Sequence, residues 1–234
     1  LAFYNPLTEA FTNFLHDDTN PQSIKDNYVW TILEDSKGTL WVGTRKGLCR
    51  FDPDNKIFES VNLSSQPNIK NNPLNVQAIF EDKKGSLWIG TRNAGLFKVD
   101  NENIKPNTGS SLIATQFNIG NADVRTIVED VGGAVCIGTF GGRLYRYNEE
   151  EETFHSLLTE RTNPADADPK NIRTIFYDRF LPDILWLGTE EAGIILVDTK
   201  RNESSRIEFN PLYATSLSGN MVYAICRDRS GVYW

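Results

Sequence analysis

The chain has 234 residues, of which 39% are hydrophobic and 11% aromatic, a composition typical of a folded protein rather than a disordered one. Its formal net charge of −7 argues against a nucleic-acid partner, because such proteins usually carry a basic surface. No apolar run approaches the roughly 18 residues of a membrane-spanning helix, so we expect no membrane insertion of this segment.

The three cysteines, Cys49, Cys136 and Cys226, lie far apart and lack the close paired spacing of zinc or redox motifs. We therefore expect them to be small buried apolar residues. Neither a metal site nor a cofactor is predicted.

A block of acid, turn, glycine and tryptophan recurs five times with a period of roughly 48 residues, which is typical of propeller blades. Residues 33–44 return as residues 80–91 with nearly the same pattern. The third copy has Cys136 in the tryptophan place, and the fourth lacks the turn glycine and carries two extra residues before Trp186. The repeated acids are Asp35, Asp82, Asp130, Asp178 and Asp228.

Each repeat contains four runs rich in aromatic and β-branched residues. In the first complete repeat these runs cover residues 29–34, 39–44, 48–52 and 57–63. Four antiparallel strands make one blade. The sequence therefore predicts an all-β protein, a β-propeller of four-stranded antiparallel blades.

About five blade repeats are present, as four complete blades and two half blades. The complete repeats lie near residues 24–70, 71–120, 121–168 and 169–216. The half blades are residues 1–23, which align with the second half of a blade, and residues 217–234. We expect the ring to be incomplete.

The first run of each repeat is apolar on both faces, which predicts a strand covered on both sides by stacked blades. These runs, residues 29–34, 76–81, 124–129, 172–177 and 222–227, are expected to line the propeller axis. Trp41, Trp88, Trp186 and Trp234 are assigned to packing between blades, because they recur with the period.

One column of the first run varies in size, charge and aromaticity, whereas its neighbours stay constant. It contains Trp30, Gln77, Arg125, Arg173 and Tyr223. Aromatic faces and fixed hydrogen-bond donors suit a sugar ligand, although packing residues and solvated charges would give the same pattern. Convergence of Arg125, Arg173, Arg45 and Arg92 would favour an anionic ligand. The long polar loops 16–27, 66–75 and 161–171 are further candidates.

The pattern V-x-x-I-x-x-D-x-x-G-x-L-W-x-G-T-x-x-G-L resembles the two-component regulator propeller repeat over essentially the whole chain. The resemblance implies the periplasmic or otherwise extracytoplasmic sensor part of a hybrid two-component histidine kinase. In that family, paired seven-bladed propellers detect oligosaccharides released from polysaccharides. It thus implies a larger seven-bladed ring, a small carbohydrate ligand and a possible homodimer through the parent sensor.

Two other functions are consistent with the sequence. Propellers also serve as protein-interaction scaffolds, and the fold alone does not choose. The acid-glycine-tryptophan block is also similar to the Asp-box of sialidases and to lyase propellers, which suggests a lyase or glycosidase. However, the only histidines, His16 and His155, have no partner motif, so no catalytic residue is predicted.

Overall fold

The computed structural model describes residues 1–64, 73–104, 111–117, 119, 123–157, 171–201 and 203–234. The chain forms two compact units, Leu1–Asn118 and Ile119–Trp234. The strands of unit one are β1 (Ala2–Asn5), β2 (Ala10–Asn13), β3 (Val29–Glu34), β4 (Leu40–Thr44), β5 (Gly47–Asp52), β6 (Ile57–Ser64), β7 (Val76–Glu81), β8 (Leu87–Thr91), β9 (Leu96–Val99), β10 (Ser111–Ile113) and β11 (Thr115–Phe117), with a 3-10 turn at Asn101–Asn103. The strands of unit two are β12 (Val124–Glu129), β13 (Val135–Thr139), β14 (Leu144–Asn148), β15 (Thr153–Ser156), β16 (Ile172–Tyr177), β17 (Ile184–Thr189), β18 (Ile194–Asp198) and β19 (Glu203–Ile207).

Unit one contains three antiparallel arrangements of strands. Strands β1 and β2 pair alone, β3 to β6 follow one another in a sheet, and β7, β8, β9 and β11 form another. In the first complete repeat, each predicted strand begins and ends within one residue of the observed one. Strand β10 was not foreseen as a fifth member of the first sheet, where it runs parallel to β6.

Unit two contains two four-stranded antiparallel sheets, β12 to β15 and β16 to β19. The prediction of an all-β fold built from four-stranded antiparallel blades is confirmed. The prediction of a strand at 222–227 is wrong. Arg227 and Tyr233 form an isolated bridge there, and Val222 donates its N–H to the carbonyl of Thr189 in the preceding blade at 2.8 Å.

The first strands of consecutive blades pack together, β3 against β7 in unit one and β12 against β16 in unit two. Close packing explains the recurring Gly-Thr pair. A Cβ added at Gly43 would lie 2.5 Å from Thr31 Cγ2 and 2.8 Å from Val76 Cγ1. Since Val76 belongs to the next blade, glycine and the small neighbouring column together set the approach of two sheets.

The repeated acids fix the turn between the first two strands of a blade. Asp35 Oδ1 accepts from the backbone N–H of Thr39, and Asp35 Oδ2 accepts from the indole N–H of Trp41, each at 2.8 Å. Trp41 and Trp88 are buried, as expected of packing residues, whereas Trp234 is 73% exposed, so its assignment to packing between blades is wrong. Trp41 also packs in one apolar cluster with Val76 of the next blade.

The two irregular repeats replace the tryptophan bond in different ways. In the third, Arg146 donates to Asp130 at 2.8 Å, because Cys136 has no N–H donor. In the fourth, the Tyr233 hydroxyl donates to Asp178, and the extra residues leave Trp186 stacked on Tyr233 at 4.4 Å between ring centroids. In both altered turns, the repeated aspartate thus still accepts a hydrogen bond from a side chain.

Two of the three cysteines are buried as expected, namely Cys49 and Cys136. Cys226 is exposed, so its predicted burial is wrong. It lies in the last repeat, in which the exposed Trp234 still donates its indole N–H to Asp228 at 2.8 Å.

Candidate functional site

The variable column coincides with a β-bulge in each of the four larger sheets, one of five strands and three of four. In β3, Val29 faces Thr44 whereas Thr31 faces Gly43, so Trp30 is an extra residue in the ladder. The other bulged residues are Gln77, Arg125 and Arg173. Because a bulge turns one side chain away from the regular pleat, side chains of three different kinds are presented at four equivalent positions. Bulges often lie beside binding sites.

At the same end of each blade, one backbone hydrogen bond recurs from repeat to repeat. The residue after Gly-Thr donates its N–H to the carbonyl of a residue just before the first strand, for example Arg45 to Tyr28 at 3.0 Å. The equivalent pairs are Arg92 with Asn75, Phe140 with Asp123, and Glu190 with Asn171. We call the bulged residues and these flanking residues the rim of each unit.

In the rim of unit one, Trp30 and Tyr28 stack with ring centroids 6.4 Å apart. The guanidinium of Arg45 lies 4.3 Å from the centre of the Tyr28 ring and 3.3 Å from the Asp26 carboxylate. Both aromatic rings are about half exposed, at 47% for Trp30 and 56% for Tyr28. This part of the rim therefore presents two half-exposed aromatic rings beside an arginine that is paired with a carboxylate.

The second blade of unit one presents a different surface. Gln77 is buried, and its side-chain amide donates to Asn75 Oδ1 at 2.5 Å. The predicted ligand residue Arg92 is exposed. Arg92 therefore lies at the surface, whereas Gln77 is buried and contacts the rim residue Asn75.

Contacts link the rim of unit two across three repeats. Arg125 pairs with Asp123 at 2.8 Å and lies 5.3 Å from the Phe140 ring centre. Phe140 forms an antiparallel bridge with Asn171 of the following blade. The chain of contacts then passes from Asn171 to Glu190, to Arg173 and to Tyr223.

Three arginines of the rim are matched by carboxylates within their own blades. Asp26, Asp123 and Glu190 pair with Arg45, Arg125 and Arg173, respectively. Pairing cancels most of the field that would attract an anion and fixes each guanidinium in one orientation. The rim is therefore better suited to donate oriented hydrogen bonds than to bind net negative charge.

Some rim residues were identified from the sequence only as parts of loops, and others were not identified. Asp26 and Asn171 lie in the candidate loops 16–27 and 161–171, and Phe140 and Glu190 lie in the loops that follow Gly-Thr, whereas Tyr28 and Asp123 were missed. The available signal was position, since most of them stand just before the first strand or just after Gly-Thr in the repeat. Of the candidate loops, 16–27 is described, whereas most of 66–75 and 161–171 lies outside the described residues.

The histidines serve loop structure and not the rim. His16 bonds through Nδ1 with the carbonyl of Ile24 at 2.7 Å and through Nε2 with Asp18 at 2.9 Å. His155 bonds with Glu151 at 2.8 Å in the outer part of its blade. In the described part of the chain, no three metal-binding side chains gather, and no helix has the length and hydropathy needed to cross a membrane.

Comparison with known proteins agrees with the fold and the repeat. Residues 23–46 and 71–93 match the two component regulator propeller family. A structure described as the extracellular domain of a hybrid two-component system from B. thetaiotaomicron aligns with 99% of this chain and 28% of its own, at 27% identity and a TM-score of 0.73. A second such domain from that organism aligns with 100% of this chain and 29% of its own, at 26% identity and a TM-score of 0.66.

Histidine kinase P4 from Formosa agariphila is 32% identical over 93 residues, which are 38% of this chain and 7% of the kinase. The virginiamycin B lyase of Staphylococcus aureus, at 13% identity, a TM-score of 0.62 and coverage of 92% of this chain and 65% of its own, shares the fold alone. The fold is thus that of a β-propeller built from four-stranded blades. The repeat is thus similar to that of the two-component regulator propellers, and the chain spans under a third of the extracellular domains it matches.

Proposed function

We propose that this chain is a ligand-binding part of the extracytoplasmic sensor domain of a hybrid two-component histidine kinase, with no catalytic role of its own. The sensor domains of B. thetaiotaomicron that it resembles support this assignment. So does the stretch of similarity to Histidine kinase P4. Homodimerisation through the parent sensor stays a prediction.

We further propose that the ligand is an oligosaccharide without net charge, bound at the rims. The observation that carries this proposal is the contact chain from Arg125 to Tyr223, which ends on a ring that is 64% exposed. Exposed aromatic faces cover the C–H surfaces of sugar rings, and the paired arginines donate to hydroxyl groups. Because Arg125 and Arg173 are paired with carboxylates, their positive charge no longer favours an anionic ligand.

A screen of neutral and uronic-acid oligosaccharides for a rise in melting temperature tests the proposal, because a ligand that binds only the folded state must stabilise it. We expect at least one neutral oligosaccharide to raise it. Tyr223→Ala should reduce that rise, whereas Tyr213→Ala should not, since Tyr213 is equally exposed at 64% but lies outside the rim. Stabilisation by uronic-acid compounds alone would contradict the neutral ligand.

A further inference from the structure

A second concave site lies at the opposite end of the strands from the rim, between the turns of the fourth and fifth repeats. It is a cleft of about 430 Å³, within the size range of small-molecule sites. Its lining includes Phe176, Asp178, Phe180, Arg179, Arg227 and Arg229. We call it the turn cleft.

The equivalent place in unit one is closed by hydrogen bonds. There the backbone N–H and hydroxyl of Ser36 donate to the two carboxylate oxygens of Glu81, each at 2.7 Å. In the alignment of repeats, Arg179 occupies the position of Ser36, and Arg227 that of Glu81. A neutral donor facing an acid is thus replaced by two cations, which cannot bond to each other.

Phe180 contacts both of these cations. The guanidinium carbons of Arg179 and Arg227 lie 4.9 Å and 4.3 Å from the centre of the Phe180 ring. Cation–π contact stabilises each guanidinium, while the two like charges repel each other. An anion that contacts both guanidiniums would offset this repulsion.

The carboxylates of the turn cleft are already occupied. Asp178 accepts from the Tyr233 hydroxyl and the Phe180 N–H, and Arg227 lies 3.6 Å away. Although burial acts to raise the pKa of Asp178, these donors and nearby arginines hold it below its usual value. Asp228 accepts from the Ser230 hydroxyl at 2.6 Å and from the Trp234 indole at 2.8 Å.

Two of the three arginines have no carboxylate within ion-pair distance among the described residues. Neither Arg179 nor Arg229 forms an ion pair within the described part of the chain, and both are exposed. Arg227 is shared between Asp178 and the rings of Phe180 and Tyr233. The guanidinium groups of Arg179 and Arg229 can therefore donate to a ligand, whereas Arg45, Arg125 and Arg173 of the rim already donate to carboxylates.

We propose that the turn cleft binds a small compound carrying a carboxylate or sulfate group, with the oxyanion held by Arg179, Arg227 and Arg229. Guanidinium groups match both oxyanions in a two-pronged geometry. The exposed part of Phe180, at 58%, supplies an apolar face for the ring or chain that carries the oxyanion. This site is independent of the oligosaccharide proposed for the rims.

The test compares D-glucuronate with D-glucose, which have the same ring size but differ by one carboxylate. The arginine Nε–H signals of the intact 234-residue chain are followed by NMR at constant ionic strength. We expect glucuronate, and glucose 6-sulfate likewise, to shift the Arg179 and Arg227 signals saturably, and glucose to leave them in place. Equal effects of glucuronate and glucose, or shifts no larger than those of sodium chloride, would overturn the proposal.

Variants separate this site from the rim. Arg179→Ser with Arg229→Ser introduces the residue that the first repeat has at this position, so the turn should still form. It should weaken glucuronate binding about tenfold or more. The control Arg201→Ser removes an arginine that is 75% exposed elsewhere in unit two, and should leave affinity unchanged. Retained affinity in the double variant, or its loss in Tyr223→Ala instead, would place the anion elsewhere.

Discussion

The indole N–H of Trp88 donates a 2.8 Å hydrogen bond to the carboxylate of Asp82, six residues earlier. Both residues are buried, and Asp82 Oδ1 also accepts from the N–H of Ser86 at 2.9 Å. One acid therefore fixes the turn and orients the ring that fills the blade. Trp186 stands eight residues after its acid, and its buried indole nitrogen has no hydrogen-bond partner.

This contrast predicts different costs for the same substitution. Trp88→Phe keeps an apolar ring but leaves the buried carboxylate one donor short, whereas Trp186→Phe breaks no hydrogen bond. We expect Trp88→Phe to lower the free energy of unfolding by about 1–2 kcal/mol more than Trp186→Phe. Urea unfolding followed by circular dichroism measures both. Equal losses would show that the indole bond contributes nothing to stability.

A second prediction concerns the close approach at Gly43. Gly43→Ala places a methyl group 2.5 Å from Thr31 and 2.8 Å from Val76, so two sheets must move apart. Overpacking of this kind typically costs about 1–3 kcal/mol or more. Gly38→Ala is the matched control, because its φ of 81° strains alanine although no atom lies within 4 Å. Unfolding experiments should find the Gly43 variant less stable, and the reverse order would refute the packing role.

The repeat allowed most of the fold to be predicted, since period and alternation determine the strands of each blade. The variable column was also visible, but its β-bulge was not, because a bulge depends on the register opposite Gly-Thr. The ion-pair partners of the rim were hidden for a similar reason. Asp123 stands two residues before its arginine, whereas Glu190 follows Arg173 by seventeen, so no shared spacing reveals them.

The cysteines provide a third prediction. Burial raises the pKa of the Cys136 thiol to about 12, and Cys49 is likewise buried with a raised pKa. Because the thiolate is the reactive form, neither should react in the folded protein at pH 8. Cys226 is exposed and should react quickly. A thiol reagent should therefore titrate one cysteine in the native chain and three in urea. Rapid reaction of two or more native thiols would contradict the described burial.

The last prediction tests the paired arginines of the rim. Arg125→Ala alone would leave Asp123, whose side chain is only 12% exposed, without its guanidinium, and should lower stability by about 1–3 kcal/mol. Replacing both partners, as Arg125→Gln with Asp123→Asn, keeps the local charge at zero and should cost less. The same holds for Arg173→Gln with Glu190→Gln.

If the guanidiniums donate to the oligosaccharide found by the screen, each double variant should weaken binding by about 1–3 kcal/mol in calorimetric titration. Lys200→Gln with Asp183→Asn removes an exposed ion pair of unit two outside the rim and should leave affinity unchanged. Unaltered affinity in both rim variants would return the arginines to a structural role, and the described loop at residues 16–27 would become the next candidate for ligand contact.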